Sequence, residues 1–103
     1  MLYSRPGTED ALHTFKSRYE NYVGGQWLAP VEGNYFSNVS PVTGEAFCEI
    51  PRSSAADLEI ALDAAHGAAE SWGKTAVAER SGVLLKIADR IEANLELLAY
   101  VET

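Results

Sequence analysis

One cysteine, one methionine and eight basic residues are thin supplies for a chain of 103 residues, and each shortage closes off chemistry. With Cys48 alone, the chain can form neither an internal disulfide nor a cysteine-based zinc site. A lone thiol fits a reducing compartment, so a cytoplasmic location is expected. Eight Lys and Arg against fifteen Asp and Glu leave a net charge of −7 and a pI near 4.7. That sign argues against binding to nucleic acid or to an anionic membrane surface. No apolar run is long enough for a bilayer span or a secretory leader, and Arg5, Glu9, Asp10, Lys16 and Arg18 interrupt the first twenty residues. A glycine-rich phosphate loop is also missing, because Gly24 and Gly25 form a bare dipeptide and Gly33 stands alone. Small molecules and other proteins remain as partners.

What is present is an apolar fraction of 47%, enough for one modest core. Residues 1–17 are polar and mixed, with Pro6 and Gly7 as a breaker pair. Thr8 can cap a short helix through Ala11, Leu12 and Phe15; the alternative is a loosely ordered extension. The stretch 21–28, NYVGGQWL, predicts a hairpin, since Gly24 and Gly25 supply the positive φ that a two-residue primed turn needs. In that register Val23 faces Gln26, and Tyr22 lies opposite Trp27.

The rest of the chain is organised around 35–51, YFSNVSPVTGEAFCEIP. Two β-prone runs, Tyr35–Val39 and 46–50, flank a turn in which Pro41 presets the backbone and Gly44 takes the left-handed conformation. Alternation puts Ala46, Cys48 and Ile50 on one face, Phe47 and Glu49 on the other. The first face is expected to receive the helices that follow.

Ser54 and Asp57 resemble a capping box, with Asp standing in for Glu. Leu58, Ala61, Leu62, Ala65, Ala68, Ala69 and Trp72 then recur at helical spacing until Gly73. A stripe made mostly of alanine permits close approach, which places this helix against the second hairpin. Another helix begins near Thr75 or Ala76 and runs past Leu98, with Leu84, Ile87, Ala88, Ile91, Leu95 and Leu98 as its apolar stripe. Asn94 is expected to interrupt it and cap a new one. The final stretch, LLAYVET, stays apolar and lacks the Gly, Asn or Pro that closes a helix. The expectation is that the chain is a piece of something longer, or docks its last turns on a partner. Covering one exposed Leu or Val is worth roughly 1.5–3 kcal/mol, so the chain alone is expected to be marginally stable, partly molten or self-associating. Its fold class is α+β: two β-hairpins followed by two or three helices.

Candidate chemical groups are few. Cys48 has no basic neighbour or helix N-terminus in sequence to lower its pKa, so it reads as a small buried hydrophobe. His13 and His66 are isolated and lack metal-ligand spacing. Glu79 with Arg80, and Asp89 with Glu92, fall on the wet side of a helix. No catalytic constellation is found.

NYVGGQW, NVSPVTGE, SSAADLEIALDAAHGAAESW and AERSGVLLKIADRIEANLELLAYVET, taken in order over 19–103, resemble the start of an aldehyde dehydrogenase. The resemblance is closest to bacterial acetaldehyde-type enzymes. It implies an α/β parent with a Rossmann-like fold, in which 18–103 open the nucleotide-binding domain, cut short at 103, after an extension over 1–17. It implies NAD(P)-dependent oxidation of an aldehyde to a carboxylic acid. A cysteine attacks the carbonyl, hydride leaves to the nicotinamide, and a glutamate activates water to release the thioester. In the family those two residues lie beyond position 103. Cys48 does not match the catalytic motif, so the 103-residue chain is expected to be inactive. The implied partners are an aldehyde, NAD or NADP and the remainder of a parent that is a homo-oligomer.

The family's monovalent-cation site reaches this chain at Asn38 and Val39, where relatives often carry Thr-Val. Val39 would give only its carbonyl, and at best half a site is present. Ala76 departs from the Ser that relatives place at that helix start. The alternative reading, from another class, is an interaction module that docks through its apolar C-terminal helix.

Overall fold

Four short strands precede three helices in the computed structural model, which describes residues 4–103. The first three residues of the expected 1–17 extension lie outside the described residues. The elements are β1 Asn21–Val23, β2 Gln26–Leu28, β3 Tyr35–Val39, β4 Ala46–Pro51, α1 Ala55–Gly73, α2 Val77–Ala93 and α3 Leu95–Glu102. The strands pair as two separate antiparallel sheets, β1 with β2 and β3 with β4. Two compact units result. Lys16–Gly73 holds both sheets and α1; the segment up to Phe15 joins Lys74–Thr103, which carries α2 and α3.

In the first unit, the β1–β2 turn is built as its glycines demand. Gly24 and Gly25 sit at φ 59° and 81°, and the register pairs Val23 with Gln26 and Tyr22 with Trp27. The two rings lie 4.8 Å apart between centroids and stay solvent-exposed. Helix α1 rests on β1, and a Cβ placed on Gly24 would meet the Ala64 Cβ at 3.7 Å. Its half-buried positions are Asp57, Ala61 and Ala64, while Leu58, Ile60, Leu62 and Trp72 are exposed. Small residues do give the close approach, but onto the first hairpin rather than the expected second one. The reason is size: two alanines fit against a glycine turn, and the bulkier leucines point elsewhere.

The β3–β4 hairpin corrects a second expectation. Asn38 pairs with Cys48, but the next step pairs Val39 with Ala46, so Phe47 is an extra residue in β4. Directly opposed residues share a face, and neighbours on one strand alternate. Ala46 therefore lies with exposed Val39, not with Cys48 and Ile50. Strict alternation fails here because a bulge inserts one residue into one strand. The turn itself follows expectation, with Gly44 at φ 73°. The Gly44 N–H donates to the Ser40 carbonyl at 2.8 Å, and the Ser40 N–H donates to the Glu45 carbonyl at 2.9 Å.

Half of the predicted capping box forms. The Ser54 N–H donates to Asp57 Oδ2 at 2.9 Å and the Ser54 hydroxyl to the same oxygen at 3.3 Å. Asp57 Oδ1 accepts instead from the Val31 N–H at 2.8 Å, fastening the start of α1 to the β2–β3 loop. Those hydrogen bonds, first from Ser54 and then from Val31, hold the Asp57 carboxyl below the usual carboxylate range.

In the second unit, α2 starts without a side-chain cap at Ala76. The Arg80 guanidinium reaches back to the Thr75 carbonyl. Asn94 breaks the helix as expected, with φ −118° and ψ 23°. It does not cap α3 with its side chain, however, because its Nδ2 donates backward to the Arg90 carbonyl at 2.8 Å. Closing the end of α2 and opening α3 need opposite groups, and one amide serves the first. Residues 4–15 contain no helix. Thr8 is held in a turn, where its hydroxyl and N–H both donate to the Arg5 carbonyl, at 2.6 and 3.2 Å. The Tyr100 hydroxyl donates to the Ser4 carbonyl at 2.6 Å.

Among the described residues only Cys48, at 7% exposure, and Pro30 are buried.

Candidate functional site

One cluster of polar contacts lies at the edge of β4. Ser17, Arg18 and Tyr19 run parallel beside Glu49: the Glu49 N–H donates to the Ser17 carbonyl and the Tyr19 N–H donates to the Glu49 carbonyl, both at 2.9 Å. The side chains repeat the pairing. Arg18 donates through Nε at 2.9 Å and Nη2 at 2.7 Å to Glu49 Oε2. Its guanidinium also lies 3.9 Å from the Tyr35 ring centroid, a cation–π distance. The Tyr35 hydroxyl in turn donates to both Glu20 oxygens at 2.8 and 2.7 Å.

The two carboxylate hydrogen bonds favour the protonated partner, while the nearby Arg18 charge lowers the Tyr35 pKa without reversing its rise. The Glu49 hydrogen bond raises the Arg18 pKa, and the Glu20 hydrogen bond raises the Tyr35 pKa. A guanidinium held charged and a phenol held neutral cannot work as acid and base near neutral pH. The cluster therefore fastens the segment before β1 to the second hairpin. Sequence reading missed it, and the available signal was slight: Arg18 and Glu20 two residues apart, as on one face of a strand.

Cys48 sits opposite Asn38 in the ladder. Burial pushes its thiol up, and the Asn38 side-chain hydrogen bond offsets only part of that. A thiol held protonated is a poor nucleophile. Asn38 and Val39 occupy the end of β3, both exposed. Val39 can offer a hard cation only its carbonyl, and these two positions do not complete a shell. His13 packs edge-on to Phe15 at 4.9 Å, and His66 is exposed in mid-α1. Among the described residues no group of three His, Cys, Asp or Glu side chains could hold a metal.

A second feature lies on the helices. One stripe of α2, from Val83 through Lys86, Ile87, Arg90 and Ile91 to Asn94, meets Leu97 and Leu98 of α3 across an open groove of about 450 Å³. The four-residue repeat of Val83, Ile87 and Ile91 puts the apolar side chains in line. The kink at Asn94 swings α3 across the end of that line. This groove has the form of a docking surface rather than of a reaction chamber. Among the described residues no helix is long and apolar enough to cross a membrane.

Comparison with known proteins places these elements. The profile of the aldehyde dehydrogenase family matches residues 27–103. The chain is 61% identical over 103 residues to the acetaldehyde dehydrogenase of Pseudomonas aeruginosa, covering all of this chain and 20% of that protein. It is 59% identical over 101 residues to the EPTC-inducible aldehyde dehydrogenase of Rhodococcus erythropolis, covering 98% of this chain and 20% of that one. The crystal structure of PnpE in complex with nicotinamide adenine dinucleotide superposes with a TM-score of 0.78 at 38% identity, over 82% of this chain and 17% of PnpE. The chain thus spans about a fifth of the length of the curated relatives it matches.

Proposed function

Because the chain belongs to the aldehyde dehydrogenase family, we propose that it is the N-terminal scaffold segment of an NAD(P)-dependent enzyme that oxidises an aldehyde to a carboxylic acid. The observation that carries this reading is the family match over 27–103, together with identity to acetaldehyde dehydrogenases over the whole chain. The chain's own residues supply position rather than chemistry. Cys48 is buried in a strand pair, and that burial pushes its thiol up.

The described residues do not fit a dinucleotide. Positive-φ glycines sit at 7, 24, 25, 33 and 44, in turns between strands or before them, and none opens α1 or α2. The cofactor would be held by other parts of the enzyme, so no step of the reaction is assigned to this segment. Its role is to present α1, α2 and the two hairpins as packing surface. In the same reading the enzyme is cytoplasmic and homo-oligomeric, and Asn38 and Val39 supply half of a monovalent-cation site.

Reconstitution tests this. The 103-residue chain incubated with NAD and acetaldehyde should form no NADH. Co-expressed with the Pseudomonas aeruginosa relative deleted for its matching region, it should restore NADH formation above that of the deleted protein alone. Turnover by the chain itself, or failure to rescue with both parts soluble, contradicts the proposal. One observation favours a second reading, an interaction module without enzymatic context: the open apolar groove on α2 and α3.

A further inference from the structure

We propose that residues 16–20 form a strap that locks a hinge inside the first unit, with Arg18 as its positioning residue. The hinge has two leaves. One is the β3–β4 hairpin; the other is the β1–β2 hairpin together with α1, which packs on β1. The two sheets share no ladder. The chain crosses between the leaves twice, through residues 29–34 and through residues 52–54.

Those crossings leave the second hairpin side by side. Tyr35 pairs with Pro51 at that end of the ladder, and just beyond them the Arg52 N–H donates to the Asn34 carbonyl at 2.8 Å. Both crossings are tied to the first leaf as well. Asn21 Nδ2 donates to the Ser53 hydroxyl at 2.8 Å, and the Val31 N–H donates to Asp57 Oδ1 at 2.8 Å. Two adjacent crossings define a line about which the leaves can turn; they do not set the angle between them.

The strap sets it, because it grips away from that line. Glu49 lies two residues from Pro51 along β4, roughly 6–7 Å. Its N–H and its carbonyl are both taken by the strap, from Ser17 and Tyr19, and its carboxylate by Arg18. The same guanidinium lies over the Tyr35 ring, and Glu20 accepts from the Tyr35 hydroxyl. The strap thus holds both strands of the second hairpin. Its next residue, Asn21, opens β1. With no slack between Glu20 and β1, a swing of the first leaf has to pull the strap off β4. The Arg18 and Glu49 side chains are 52% and 44% exposed, so water competes for them and the lock can open. Every group involved lies within Lys16–Gly73, so the lock is independent of what covers α2 and α3. It is also independent of the oxidoreductase reading, whose failure shows in the reconstitution assay and not here.

Amide exchange and residual dipolar couplings of the full chain test the lock. In the unmodified chain the N–H vectors of both leaves should fit one alignment tensor. Arg18→Gln removes the ion pair and the ring contact together, so the Tyr19 and Glu49 amides should exchange roughly three- to tenfold faster. The turn amides of Ser40 and Gly44 should keep their rates, and each leaf should now need its own tensor. Arg18→Lys keeps the charge without the planar fork and should fall between the two. Exchange that quickens equally in the turns would mean that Arg18 supports the fold at large, and it overturns the proposal. So does a single tensor in Arg18→Gln, or two tensors or unprotected Tyr19 and Glu49 amides in the unmodified chain.

Discussion

Replacing Gly24 by alanine separates the two roles that this residue combines, a left-handed turn position and a seat for α1. The backbone there lies at φ 59°. Placing an L-residue in that region costs about 1–2 kcal/mol. Alanine also narrows the unfolded ensemble, which returns roughly 0.4–1 kcal/mol. The new Cβ would meet the Ala64 Cβ at 3.7 Å, an ordinary contact. Attraction at that distance is about 0.1–0.2 kcal/mol per atom pair, too small to set the sign. The net loss is therefore about 0.5–1 kcal/mol, which corresponds to amide exchange across 21–28 roughly two- to fivefold faster. Gly25→Ala gives the comparison: its φ is 81° and no atom lies within 4 Å of the added Cβ, so it should open the hairpin without touching α1. Gly24→Asn, a residue that tolerates this conformation, should exchange nearly as the parent does. Unchanged or slower exchange in Gly24→Ala would refute the reasoning, because it would mean that turn geometry does not limit this hairpin.

Three further outcomes follow from the side chains. Asp57 is held below the usual 3.8 by N–H donors, so it stabilises the fold above that pH and the contribution is lost as pH falls through its lower folded value. Asp57→Asn should accordingly lose less helicity than the parent on acidification below pH 3.8; equal losses by circular dichroism contradict this. Tyr35 is held above the usual 10.0 by Glu20, so its contribution is present below pH 10 and disappears as pH rises through the raised value. Tyrosinate absorbance should show one late-titrating ring that Tyr35→Phe removes, and an unchanged titration argues against the Glu20 contact. Cys48 should alkylate slowly at neutral pH and at the rate of a free thiol once the chain is unfolded; rapid labelling of the folded chain would show that the β3–β4 ladder does not seal it.

The two turns were legible because glycine chemistry is local. Gly24 with Gly25, and Gly44 after Pro41, each demand a backbone that few other residues accept, and the register follows from the turn. Helix spans were legible for a similar reason, through the spacing of Leu and Ala and the break at Asn94. What could not be read depended on distant partners. The bulge at Phe47 moves Ala46 to the other face, and nothing in AFCEIP marks it. The seat of α1 on β1 depends on Ala64 meeting a glycine forty residues earlier. The Arg18–Glu49 and Tyr35–Glu20 contacts join residues 31 and 15 positions apart, beyond the reach of periodicity. Asp57 was found as a cap, but its second bond, to Val31, was not.

Exposed apolar surface alone does not explain why the α2–α3 groove should prefer one occupant. Ile87 and Ile91 are each half exposed and would gain from any apolar cover, so hydrophobicity supplies affinity without choice. Choice comes from Lys86 and Arg90, because an apolar segment without carboxylates buries their stems while leaving both charges unpaired at the margin. In a chain of net charge −7 such a pair of cations is scarce, whereas carboxylates are abundant. The same two cations bear on the scaffold role: any element of a complete enzyme that covers this groove must also answer them, with an acidic group or with water left at the rim.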